Sequence, residues 1–279
     1  MIGGKQYERT VALVDVSERD SYVVDVFRVV GGKEHAKFLH TTAGEVAATH
    51  GLKLKPTEGF GEKVLVRNVM HDPSPAASWR VDWRVRDPRE SEPSDVHLRC
   101  HDLTAAAEAL TAETWASADG RSASQDAWLP SVVVRRRGDE PLASTFVSVL
   151  EPYRSEPLIA SVHRLALAAP DGRALPDANV GVEIRLADGR RDLFVALDAP
   201  HKHAVQREWR LRVSGELCMV RLDATGAVER LALARGQSVE VSDARLELTE
   251  AAEFIEARWE NGKAVVVAGD PAAVAPAGR

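Results

Sequence analysis

Alternation with a period of two constrains this chain more than any other feature. Val180, Val182, Ile184 and Leu186 fall on one side of an extended segment, with Glu183 and Arg185 on the other, which is the pattern of a half-buried antiparallel strand. Asp188-Gly189 follows directly, and Asp192-Leu193-Phe194-Val195-Ala196-Leu197 is β-like again, so the two runs predict a hairpin. Asn261-Gly262 repeats the signal between Phe254-Ile255-Glu256-Ala257-Arg258-Trp259 and Lys263-Ala264-Val265-Val266-Val267. Further turn signals at Gly31-Gly32, Asp171-Gly172 and Thr225-Gly226 punctuate the chain at intervals that suit stacked sheets. The expected fold is all-β, with antiparallel sheets stacked as a large β-sandwich and at most one or two short helices.

One segment argues against itself. Leu103 to Glu113 is rich in helix formers, with Thr104 as a possible cap, and propensity alone predicts a helix of about two to three turns. A sheet neighbour overrides so weak a preference, and the reading stays open with a lean to strand. Pro73, Pro75, Pro88 and Pro93 mark loops around a short alternating strand, Trp79 to Val85. Ser117 to Asp126, rich in Ser, Gly and Asp, marks another break. Two prolines bracket a turn at Glu151 to Pro157. The expected organisation is a first part of the module over residues 1–150 and a second part over 151–268. A disordered tail, rich in Ala, Pro and Gly, is expected over 269–279.

With 279 residues and 44% apolar side chains, the chain has enough material for a sizeable core. A net charge of -6 argues against nucleic acid as a partner, because bulk polyanion binding needs a clustered positive field. An acidic polysaccharide is still compatible, held by a local basic cleft on an acidic surface. No run approaches the roughly 20 apolar residues that span a bilayer, so no membrane role is expected. No basic, apolar and small-residue leader opens the sequence, and as written it is expected to stay where it is made. Cys100 and Cys218 sit among apolar strand residues, away from any Cys-x-x-Cys pattern, and read as buried free thiols.

The opening strands, Tyr7 to Val16 and Ser21 to Val30, lead into Gly31-Gly32 and then His35…His40. Together with Trp128 to Arg136, Ser144 to Tyr153 and Leu186 to Leu193, in that order, they resemble the C-terminal sheet module of the heparinase II/III and alginate lyase family of polysaccharide lyases. The resemblance implies a parent enzyme that cleaves uronate polysaccharides by β-elimination. It also implies that the catalytic residues belong to a helical toroid, the expected partner in cis or in trans. The His-x-His-x-Asp strand and the later His-Asn-Thr strand that hold the family's metal have no counterpart here. On this reading the chain is a non-catalytic module or fragment, inactive without its toroid, with no catalytic residue, no metal and no cofactor of its own. The parent family is often periplasmic or secreted, which leaves the location of this chain open. The alternative is a stand-alone carbohydrate-binding or assembly module.

Four residues stand out as candidates for contact with substrate. His35 and His40 follow the Gly31-Gly32 turn, and a structural role is favoured for both. Trp79 and Trp83 flank Val81 on one strand face and could form a sugar-stacking platform. His97 and His101 share a face with Arg99 and read as an exposed polar row, with Leu98 and Cys100 turned to the core. His201 and His203 lack a third ligand and read as a solvated loop. Arg135-Arg136-Arg137 and Arg190-Arg191 could hold a polyanion, but adjacent strand residues point to opposite faces, so the triple run reads as a solvated edge.

Overall fold

Strands account for nearly all the regular structure of the computed structural model, which describes residues 4–41, 44–58, 65–86, 95–117, 126–260 and 262–275. The fold is all-β with antiparallel pairing throughout, and the sole helical piece among the described residues is a short 3-10 turn at Pro271–Ala273. The chain divides into two units, Met1–Pro157 and Leu158–Arg279. Pro88, Pro93, Asn261 and most of the break between Ser117 and Asp126 lie outside the described residues.

The first unit is a two-sheet sandwich. Its six-stranded sheet runs in the order β1 (Gln6–Asp15), β2 (Ser21–Val30), β11 (Ala143–Arg154), β8 (Val96–Asp102), β7 (Trp79–Val85) and β4 (Gly44–His50). Its five-stranded sheet runs β3 (Glu34–His40), β10 (Asp126–Arg137), β9 (Glu108–Ser117), β6 (Val66–Asp72) and β5 (Lys55–Pro56). Between the sheets, Trp79, Val81, Trp83, Cys100 and Phe146 of the first pack against Ala109, Val132 and Val134 of the second. Leu98 packs on this cluster too, so the inward face of β8 is the one its alternation predicts.

The ambiguous segment from Leu103 to Glu113 is a turn followed by β9. Ladder pairing with β10, from Glu108↔Arg135 to Glu113↔Pro130, overrides the local helix preference. Pro152 lies inside β11 rather than in a turn. The β2–β11 ladder ends at Leu150↔Val23, so the missing proline N–H falls where β2 no longer needs a donor.

The second unit is one sheet in the order β12 (Ile159–Leu165), β13 (Val180–Leu186), β14 (Arg191–Ala196), β16 (Leu211–Leu222), β17 (Val228–Val241), β18 (Ala244–Glu260) and β19 (Lys263–Ala268). The short β15 (His203–Gln206) pairs with the first half of β16, while β14 pairs with its second half. Both halves contribute to one core, in which Leu211, Val213, Val239 and Leu246 join Leu193, Val195, Val220, Leu231 and Ile255. The sheet therefore folds over on itself, and the crossing is where the two ladders slip register. Pairing shifts after Ser214↔Ser238 to Gly215↔Gly236, and on the other side from Gly236↔Ala252 to Ser238↔Glu247. A Cβ on Gly236 would lie 2.6 Å from the Gly215 Cα and 2.7 Å from the Ser214 carbonyl oxygen, so only glycine fits there.

The Asp188-Gly189 hairpin forms as its sequence predicts, with Gly189 at φ 93° and its N–H donating to the Leu186 carbonyl over 3.1 Å. β13 itself is not half-buried, because Glu183 is buried as well as the valines beside it and has Arg185 and Arg191 within 3.2 and 3.6 Å. Part of the expected tail, within residues 269–275, is tied to the sheet. Val274 bridges Leu248, and the Ala275 N–H donates to the Glu247 carbonyl over 2.8 Å, while residues 276–279 lie outside the described range.

Candidate functional site

Three groupings of ionisable side chains among the described residues are candidates for a site. The first is the interior of the first sandwich, where one rung crosses four strands as Asp25↔Ser148↔Asp102↔Trp79. Lys37 enters from the opposing sheet and places its Nζ 2.6 Å from Asp25 Oδ2 and 3.1 Å from the Ser148 hydroxyl, to which it donates. Arg9 closes the other side of Asp25 with two 2.9 Å hydrogen bonds. Ser148 donates to Asp102 Oδ2 over 2.9 Å, and the Thr104 N–H donates to Asp102 Oδ1 over 2.9 Å. Burial raises the Asp25 pKa, but the Arg9 hydrogen bonds and the Lys37 charge outweigh it and hold the carboxyl below its ordinary range. Asp102 goes the other way, because burial dominates there and pushes it up. Ser148 beside a lysine suggests an activated hydroxyl, but both side chains are buried. The cluster is an ionic brace between sheets.

The second collection lies on the opposite face of the same six-stranded sheet, in three adjacent rungs: Arg80↔His101, Asp82↔Arg99↔Glu151 and Arg84↔His97↔Tyr153. Arg99 Nε donates to Asp82 over 2.7 Å, and the Tyr153 hydroxyl donates to the same carboxylate oxygen over 3.0 Å. His97 stacks on the Tyr153 ring at 4.9 Å. His101 Nε2 stands 3.5 Å from Glu151 Oε2, and burial pushes its pKa down despite that carboxylate. This corrects the expected exposed row, since His101 and Arg99 are buried and Arg99 forms an ion pair.

The third lies in the second unit, on the outer face of the folded-over half sheet. One rung reads Val205, Arg212, Glu240, Arg245 and the next His203, Ser214, Ser238, Glu247. The alternate residues Ala204, Val213, Val239 and Leu246 turn into the core, which forces this set outward. The Ala168–Gly172 loop borders the set, held by mutual backbone hydrogen bonds between Ala168 and Val205 of 2.9 and 2.7 Å. Arg207 lies beside Gly172, whose φ of 87° is open to glycine at little cost. Together they enclose a pocket of about 330 Å3. Arg245 pairs with Glu247 at 2.7 Å, whereas Arg207 and Arg212 have no ion pair among the described residues. Two uncommitted guanidinium forks thus share a small pocket with one carboxylate and two hydroxyls.

The structure disperses the four residues singled out in the sequence. Trp79 and Trp83 do share a face, but it is the inward one, and at 3% and 1% exposure they are core and not a stacking platform. The strand alternation fixes their common side without revealing that the opposing sheet covers it. Among the described residues, the one side-chain hydrogen bond of His40 is local, with Nδ1 donating to the Thr41 carbonyl over 3.1 Å. His35 has both ring nitrogens engaged, with Nε2 donating to the Gly31 carbonyl at 2.6 Å and Nδ1 at 2.8 Å from the Ser144 hydroxyl. A histidine so committed positions the β2–β3 turn and is not poised to take a substrate proton.

The remaining motifs are also accounted for. Arg135-Arg136-Arg137 is not a solvated edge, because β10 lies between β3 and β9. Arg135 is buried against Glu108 at 2.6 Å, Arg136 donates to the Ala143 carbonyl, and Arg137 pairs with Glu34. His201 Nδ1 lies 3.3 Å from Asn179 Nδ2, while His203 borders the basic pocket. Both cysteines are free and buried. Among the described residues no three His, Cys, Asp or Glu side chains gather as a metal cage. Arg207, Arg212 and Arg245 carry no spacing signal in the sequence, since they come from a turn and two different strands. No protein-family model matches this chain, and no curated protein matches it.

Proposed function

We propose that this chain is a non-catalytic β-sandwich module that holds a uronate-containing polysaccharide, as the resemblance to the heparinase II/III-like lyases implies, and leaves bond cleavage to a helical toroid in cis or in trans. The observation that carries the reading is the basic pocket of the second unit. In a chain of net charge -6, two guanidiniums without ion-pair partners among the described residues, Arg207 and Arg212, face one cavity of about 330 Å3. Guanidinium forks match the planar carboxylate of a uronate ring, while Glu240, Ser214 and Ser238 offer acceptors and donors for its hydroxyls. The volume suits about one sugar ring.

Affinity electrophoresis in gels containing alginate, heparan sulfate or hyaluronan tests the binding. The expected result is retardation by at least one of them, reduced about tenfold in apparent affinity by Arg212→Ala. Absorbance of the unsaturated product should stay flat with the same polymers. Free mobility in all three gels, or sustained turnover, would overturn the reading.

A further inference from the structure

The first unit carries a second pocket whose chemistry is the reverse of the basic one, and we propose that it binds an organic ammonium ion. It measures about 530 Å3 and opens among β1, β2, β3 and β11, beside the Gly31-Gly32 turn. Its walls are aromatic. Tyr7 meets Phe27 edge to face with ring centroids 4.9 Å apart, and Phe27 lies nearly parallel to Phe146 at 6.0 Å. Tyr7 is 64% exposed, which for a large aromatic side chain lining a cavity leaves a free ring face.

The polar groups on this pocket select the ligand's charge. Glu34 and Glu140 both border it. Glu34 is neutralised by Arg137 at 2.8 Å, but Glu140 has no ion pair among the described residues. His35 adds no free donor, since both of its nitrogens are engaged. An anion would meet an uncompensated carboxylate. A neutral ring would gain only stacking. A protonated amine gains twice, from the π-face of Tyr7 and from the Glu140 carboxylate. The inference is independent of the polysaccharide reading, because it concerns different residues in the other unit.

Titration of the isotope-labelled full chain with tetramethylammonium, glucosamine and glucose, followed by amide resonances of Tyr7, Phe27 and His35, tests it. Saturable shifts are expected with both cations, at dissociation constants on the order of millimolar, and none with glucose. Tyr7→Ala should weaken tetramethylammonium about fivefold, and Glu140→Gln should weaken glucosamine about threefold. Arg212→Ala should change neither. Because Tyr7 is exposed on an edge strand, its replacement leaves the core intact, and an unchanged spectrum elsewhere verifies that. Glucose binding as tight as glucosamine, no saturable shift with either cation, or wild-type affinity in Tyr7→Ala would each overturn the proposal.

Discussion

Lys37 spans the interior of the first sandwich to set its ammonium 2.6 Å from the Asp25 carboxylate, joining strands that belong to opposing sheets. Replacing a buried pair by apolar residues is often harmless, but removing one partner strands the other. Lys37→Met keeps the length of the side chain and removes the charge, leaving Asp25 with Arg9 alone and Ser148 without its donor. The expected loss is about 3 kcal/mol of unfolding free energy, read by urea denaturation. A change below about 1 kcal/mol would show that Arg9 suffices for Asp25.

Asp25 and Asp102 lie on one rung and respond to pH with opposite signs. Asp25 is depressed below its ordinary value of 3.8, so its stabilisation is complete above that pH and lost as the pH falls further. Asp102 is raised above 3.8, so the folded state holds its proton longer than the unfolded chain, and its contribution becomes less favourable as the pH climbs above 3.8. Asp102→Asn removes that titration while keeping an acceptor for the Thr104 N–H. The variant's stability relative to wild type should therefore improve between pH 4 and pH 7. An identical difference at the two pH values would refute the raised state of Asp102.

Trp83 is a test of core packing against surface binding. Its indole N–H is buried without an acceptor among the described residues, so Trp83→Phe deletes an unsatisfied donor along with some volume. That change should cost no more than about 1.5 kcal/mol, whereas Trp83→Ala should cost about 3–5 kcal/mol through the cavity it leaves. Polysaccharide retardation should be the same for wild type and Trp83→Phe. Selective loss of binding in Trp83→Phe with unchanged melting would contradict a core role.

Gly236→Ala introduces a methyl group where the two folded halves of the second unit cross. Both contacts that the new carbon would make below 3 Å with the facing segment are to backbone atoms, which cannot rotate away. Destabilisation of about 2–3 kcal/mol is expected, with a lower melting temperature. Gly262, whose added carbon meets nothing within 4 Å, serves as the uncrowded comparison.

Cys218 is buried and its thiol is pushed up to about 12 by that burial, and burial likewise raises Cys100. Both should resist a thiol-reactive dye in native buffer at pH 8 and react at once in denaturant. Rapid native labelling of either would mean that its sheet opens readily.

Local chemistry made the strands, the turns and the inward side of each strand legible. Val180 to Leu186 pairs through Asp188-Gly189 as its alternation says, and Leu98 and Cys100 face the core as their spacing says, because neighbouring side chains alternate sides wherever they are. Whether the other side meets water is a long-range matter. Glu183, Arg99 and His101 sit at positions that alternation marks as outward, yet all three are buried, Glu183 and Arg99 beside oppositely charged side chains and His101 3.5 Å from Glu151. Trp79 and Trp83 share a face in any strand, but only the opposing sheet decides that it is the dry one. Leu103 to Glu113 has the composition of a helix but forms a turn and then the start of β9 at Glu108, because ladder bonds to β10 outweigh a preference of at most about 1 kcal/mol per residue. The basic pocket depended on tertiary structure entirely: Arg207, Arg212 and Arg245 converge only because a glycine crossing folds one sheet back upon itself, and no spacing along the chain encodes that convergence.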